Sequence, residues 1–276
     1  MSNFSNIGFP VQTDEDLDQL IETIAPRCER LKTERGIYLA YHHESGASLW
    51  LQVDAQNSLI GISPHFQGTS RRRVGLIRDI DRGYSPLDGA LYGWAEPQNE
   101  DAPEDTGSYP FVFDLPDRWR MPRLNLPQTV DVQLTASPYE LQVYSDEAAY
   151  DASTDTGEPK FASESFVPSG LFISEDAPEG TQPESYGMFY GTVLSAEQHS
   201  DVYKGGHFTH LLVRTLGGEI DVVADDTILP ETPQIGAIIG GSFWLSGRIV
   251  SDAKLDDPLQ KEFKTTAKKK KRFGLF

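Results

Sequence analysis

Residues 208–224 read FTHLLVRTLGGEIDVVA, two runs of aliphatic, aromatic and β-branched residues on either side of Gly217-Gly218. Short runs of this kind bounded by turn residues are strand-like, and paired glycines supply the positive φ angles of a tight hairpin. The stretch therefore predicts antiparallel strands at 208–216 and 219–224. Glu219 and Asp221 alternate onto one face of the second strand, and Asp225-Asp226 follow at its end. A hairpin with one wet side predicts those carboxylates in solvent, with Ile220, Val222 or Val223 turned inward.

Strand-like runs at 188–194 and 243–250 flank this hairpin. The order of long strands, the Gly-Gly turn, a connection bearing Pro230 and Pro233, and then GAIIGGSFWLSGR at 236–248 resembles the second half of an oligonucleotide/oligosaccharide-binding (OB) barrel. The resemblance covers 186–250 and implies a small OB-like β-barrel there. It implies no particular activity, since function resides in sites grafted onto folds.

At the other end, Thr13-Asp14-Glu15-Asp16 has the form of a capping box with negative charge at the positive end of a helix. Leu17, Leu20, Ile21, Ile24, Cys28 and Leu31 follow at spacings of three and four, which predicts one apolar helix face carrying Cys28 inward. Pro26 is expected to kink or divide this helix. Strands at 37–42, 48–53 and 58–62 read as a meander that 73–80 and 90–96 continue. The expectation for 1–96 is thus one antiparallel sheet covered by one helix, an α+β arrangement within a mainly β chain.

Residues 97–185 hold 18 Asp and Glu against four Lys and Arg, a balance of −14 within the chain's −18. Two parts of this acidic middle, 98–108 and 146–164, are poor in large apolar residues and are expected to be mobile loops. Between them 111–115, 129–135 and 139–144 are strand-like, with Ala136-Ser137-Pro138 as the expected turn of a hairpin. A basic tail, 251–276, closes the chain.

The overall charge disfavours nucleic acid and anionic membranes as partners. Cys28 is the only cysteine, so neither an internal disulfide nor a cysteine metal cluster can form. The longest nearly apolar stretch, 235–245, is interrupted by three glycines and falls short of the roughly 20 residues of a membrane span. Residues 1–12 lack the basic start of a secretory signal, and the expected location is cytoplasmic.

Candidate sites are few. Gly68-Thr69-Ser70-Arg71-Arg72-Arg73 combines backbone amides beside a glycine, two hydroxyls and three guanidiniums, a set suited to a phosphate or carboxylate. The competing reading is a solvated turn whose arginines pair with the surplus acids, Arg71 and Arg73 on one side of the strand and Arg72 on the other. Trp119, framed by Arg118 and Arg120, suits a protein interface. In the tail, Lys268, Lys269, Lys270, Lys271 and Arg272 lead into Phe273 and Phe276, the form of a docking peptide. His42, His43, His65, His199, His207 and His210 show no local chelating spacing, so isolated structural or surface histidines are expected and no metal site, with assembly over long range as the alternative. No nucleophile elbow, phosphate loop or dinucleotide fingerprint occurs, and no cofactor is expected. The functional expectation is a non-enzymatic protein-binding or adaptor protein. Two alternatives are an acidic immunity-like protein neutralising a basic partner, and an anion or nucleic-acid binder using Arg71–Arg73 and the barrel face.

Overall fold

The computed structural model describes residues 3–153 and 160–254, a mainly β fold with two α-helices among the described residues. Helix α1 (Asp14–Ile24) begins in a complete capping box, with Asp16 N donating to Thr13 Oγ1 at 3.1 Å and Thr13 N donating to Asp16 Oδ2 at 3.0 Å. Pro26 does more than kink the helix. After a single 3-10 turn, Cys28 is already extended and Leu31 lies in strand β1 (Glu29–Lys32), so neither extends the helical face.

β1 is followed by β2 (Ile37–His42), β3 (Ala47–Val53) and β4 (Leu59–Phe66) in an antiparallel sheet of that order. β3 is buried along its whole length. One of its faces joins Leu20 and Ile24 of α1, and the other packs Trp50 with Tyr38 and Leu87.

The remaining strands are β5 (Arg72–Ile80), β6 (Ala90–Ala95), β7 (Pro110–Asp114), β8 (Gln128–Tyr144), β9 (Ser165–Val167), β10 (Tyr186–His199), β11 (Phe208–Thr215), β12 (Gly218–Ala224) and β13 (Ile238–Ile249). They form one mixed sheet, and α2 (Glu147–Ser153) follows β8. β5 and β6 pair with β8 and β7 and so leave the first sheet, contrary to the expected 1–96 unit. Alternation reports that a strand has an inner face but not which sheet receives it.

The expected hairpin at 136–138 is absent: β8 runs unbroken for 17 residues. Pro138 fits because β8 itself bulges there: Ser242 and Phe243 of β13 pair with Glu140 and Pro138, which leaves Tyr139 as the extra residue. The Gly217-Gly218 hairpin forms as expected, with φ of 79° and 110° at the two glycines.

β8 and β13 pair antiparallel from Val132↔Ile249 to Tyr144↔Ile238, and two pairing circuits share this edge. One leads from β8 through β5, β6 and β7 to β13; the other leads from β13 through β10, β11 and β12 to β8. Each ends in a parallel contact, Asp114↔Ser246 in the first and Asp221↔Thr135 in the second. β5 and β10 both carry a bulge, at Leu76/Arg78 and Val193/Ser195. The meanders β5–β8 and β10–β13 are therefore related by an approximate twofold, each lending its last strand to the other. This joins 186–250 to the acidic middle through β8 instead of setting it apart as a module. A single apolar cluster spans both halves, from Val74, Phe111 and Leu134 to Phe189, Val222 and Phe243.

Two expected mobile segments also hold structure. The 98–108 loop is pinned by Gln98 N to Thr106 O and Ser108 N to Ala95 O, and 146–153 contains α2. In the tail, Lys254 exchanges hydrogen bonds with Gln128; Lys268, Lys269, Lys270, Lys271, Arg272, Phe273 and Phe276 lie outside the described residues.

Candidate functional site

The centre of the molecule is a carboxylate that the sequence placed in water. Asp221 is fully buried, because β12 has the apolar cluster on one side and the 66–70 segment on the other. Its oxygens accept from Thr69 N at 3.1 Å, Ser70 N at 3.0 Å, Gln133 Nε2 at 2.9 Å and His210 Nε2 at 2.8 Å. Burial opposes ionisation, but the donors His210, Ser70 and Gln133 outweigh it and hold the carboxyl below its ordinary pKa. Gly68 permits the approach, since any side chain there would collide with the Asp221 carboxylate.

The glycine-flanked amides thus do hold an anion, and the anion is internal. The rest of the predicted cluster divides. Arg72 is buried, donating to Tyr109 Oη at 2.8 Å, Gly218 O at 3.0 Å and Glu219 O at 3.3 Å. It holds the β11–β12 turn against β5 and is saturated by that role. Arg73 pairs with Glu100 at 2.5 Å and Asp131 at 3.7 Å. Ser70 spends its hydroxyl on Leu134. Of the three arginines, Arg71 alone has neither an ion pair nor a side-chain hydrogen bond among the described residues.

Arg71 stands level with a second guanidinium. Arg72↔Val132 puts Arg71 opposite Gln133 on one side of β8, and Arg248↔Gln133 puts Arg248 on the other. Arg248 Nε donates to Gln133 Oε1 at 3.2 Å, and among the described residues it has no ion pair. Desolvation first, and then the charge of Arg71, lower the Arg248 pKa. Arg248 lines a cavity of about 270 Å³ with Arg120, His42, His65, Gln67, Trp50 and Asp117. Asp117 is paired with Arg120 at 3.4 Å, and burial raises its carboxyl despite that neighbour. His65 is buried at the cavity's base with Nδ1 2.9 Å from Ser246 Oγ, and desolvation brings its pKa down to about 3. This Ser–His pair is no nucleophilic dyad, because Ser246 is fully buried and no substrate can reach it.

The long-range assembly left open for the histidines occurs beyond Asp221. Glu197↔His210 are direct partners across β10 and β11, and His199 is two residues from Glu197 on the same face. These three side chains present ligand atoms all within 4.8 Å of one another. Pairing register alone brings them together, so no spacing in the sequence announces the group.

On the opposite circuit Asp114 is bound by Arg82, by Ser185 Oγ at 2.7 Å and by Trp244 Nε1 at 2.7 Å. A cavity of about 290 Å³ there is lined by Tyr84, Tyr186 and Trp244 together with Asp88 and Glu184. Trp119 is half-buried. Its ring lies under the Arg35 guanidinium, 3.2 Å from centroid to Cζ, and its Nε1 donates to Asp88 O at 2.9 Å.

In comparisons with known proteins the chain matches no family model, no curated protein and no solved structure, so what it does rests on the geometry of its own residues.

Proposed function

We propose that the protein is a non-enzymatic binding protein whose recognition element is the cationic cleft at Arg248, taking the carboxylate or phosphate group of a small acidic ligand. The observation that carries this is Arg248 itself: half-buried, beside Arg71, and without a carboxylate partner among the described residues of a chain bearing −18. In so acidic a protein a desolvated guanidinium left unpaired is a costly arrangement unless an anion completes it. The cavity is smaller than the roughly 300–1,000 Å³ of drug-sized sites, which suits a small anion. Trp50 and His42, set edge to face at 5.6 Å, supply an aromatic wall, and Gln67 a further polar group. In this reading the two pairing circuits are two small barrels and the ligand sits at the seam between them.

Calorimetric titration with inorganic phosphate and citrate at low salt tests the proposal. Saturable binding that weakens with added salt and is lost in Arg248→Gln is the expected result. Arg71→Gln weakens it, and Arg123→Gln, at an exposed pair with Glu34, leaves it unchanged. Absence of binding to both anions, or equal binding by Arg248→Gln, overturns it.

One observation favours a second reading, contact with a basic partner. Tyr84 is 83 % exposed at the rim of the Asp88–Glu184 cleft, and Tyr139 meets Tyr186 edge-on at 5.6 Å beside it. A Lys or Arg side chain entering there meets aromatic faces and carboxylates together. Binding of a lysine-rich peptide that is insensitive to Tyr84→Ala removes this reading.

A further inference from the structure

We propose that Glu197, His199 and His210 form a binding site for a divalent transition-metal ion, zinc being the probe that fits best. The site is distinct from the anion cleft, to which Gln133 and Asp221 link it, and lies on the face of the β10–β11 pair that packs against Phe66 of β4.

Three observations carry it. First, the ligand atoms of the three residues already lie within 4.8 Å of one another, on neighbouring rungs of one rigid ladder. A tetrahedral zinc with bonds of about 2.0–2.1 Å needs them roughly 3.4 Å apart. The exposed Glu197 side chain can swing toward the two imidazoles without moving the backbone.

Second, His210 is already oriented as a ligand. Asp221 also accepts from Thr69 N, Ser70 N and Gln133 Nε2, so its carboxylate acts as acceptor and His210 Nε2 carries the proton toward it at 2.8 Å. In the neutral imidazole this leaves the Nδ1 lone pair for a metal. Metal-bound histidines commonly have a carboxylate on the other ring nitrogen, which fixes the tautomer and strengthens the donor.

Third, His199 has a buried Nε2 with no hydrogen-bond partner. Its ring is held by Phe208, stacked at 4.8 Å, and Phe66 lies 4.6 Å from the His210 ring. An imidazole nitrogen fixed among aromatic rings and left unpaired costs free energy that coordination would recover. Two imidazoles with one carboxylate select zinc, iron, nickel or copper over magnesium and calcium, which take oxygen ligands. Exposed Glu197 leaves the outer coordination position to water.

The test uses the full chain, stripped with a chelator and titrated with zinc against a chromophoric competitor, with cobalt(II) absorption as a second readout. One equivalent is expected to bind with micromolar or tighter affinity, accompanied by cobalt bands of a four- or five-coordinate site. Glu197→Gln, at an exposed position that folding tolerates, weakens zinc binding at least tenfold, and His199→Gln abolishes the cobalt bands. His207→Gln, at the exposed pair with Asp226, changes neither. Failure to bind one equivalent, or the same affinity in Glu197→Gln and His199→Gln, overturns the proposal.

Discussion

Asp114 and Asp221 occupy equivalent places in two halves of one sheet: Asp114 pairs with Ser246 of β13, Asp221 with Thr135 of β8, and Ser246 and Thr135 pair with each other. Each carboxylate marks the parallel contact where a meander meets the long strand lent by the other half. Their surroundings have diverged. Asp114 is clamped by Arg82 and Trp244 beside an aromatic cleft, whereas Asp221 is sealed and orients His210. The same acceptor therefore closes an ion pair in one circuit and fixes an imidazole in the other. Gln133 extends the second network, accepting from Arg248 and donating to Asp221. The two proposed sites thus share one buried hydrogen-bonded seam.

Asp221→Asn should be much more damaging than Asp114→Asn. The new amide turns a donor toward backbone N–H groups and the His210 side chain, leaving buried donors unpaired. A loss of about 3–5 kcal/mol is expected, as for removing one member of a buried charged network. Asp114 is partly exposed, and Asp114→Asn keeps an acceptor for Arg82, so about 1–2 kcal/mol is expected. Urea unfolding of the two variants measures the order, and equal losses would contradict the distinction drawn between the two carboxylates.

The three consecutive arginines should separate cleanly. Arg72→Met removes donors from Tyr109, Gly218 and Glu219 in a dry setting, at a cost of about 2–4 kcal/mol. Arg71→Gln should change stability by less than about 0.5 kcal/mol, as for surface substitutions generally. Denaturation midpoints decide this, and a silent Arg72→Met would mean that the β11–β12 turn is held by other contacts.

Local features were legible in the sequence, and features that depend on register were not. The capping box at Thr13 and the glycine hairpin at 217–218 involve residues a few positions apart, so residue type suffices to read them. Cys28 and Leu31 keep helical spacing by coincidence, because Pro26 ends the helix before they are reached. Asp221 was misplaced because alternation assumes a wet face, and β12 has none. The near-continuous apolar character of 220–224 was the available sign of two-sided burial. The twofold relation left no repeat in residue identity. It resides in matched bulges and parallel contacts, and the Glu197–His199–His210 group likewise exists only once β10 and β11 are in register.

Thr13→Ala provides a local control at the first helix. It removes the hydroxyl that accepts from Asp16 N, while α1 stays docked through Leu20 and Ile24. The expected loss is about 1 kcal/mol, the usual cost of an N-cap. Thermal unfolding measures it, and a loss several times larger would show that the whole N-terminal segment depends on this cap.

The pH dependence of stability should carry the signature of His65. Its folded pKa is brought down to about 3 from 6.5 by burial, with Arg248 adding to the effect. Below pH 6.5 the unfolded chain binds a proton there that the folded chain does not, so stability falls as pH falls from 6.5 toward 3, by about 1.4 kcal/mol per unit from this group. His42 and His199 are shifted in the same direction and add to the slope, less strongly because both are more exposed. Asp221, held below its ordinary value, adds a further loss only in stronger acid, below pH 3.8. His65→Asn should therefore flatten the curve of unfolding free energy between pH 6.5 and 4 while lowering it at pH 7 through the lost contact with Ser246. An unchanged slope in this variant would mean that the imidazole gains a proton in the folded state, and that the base of the cleft admits water.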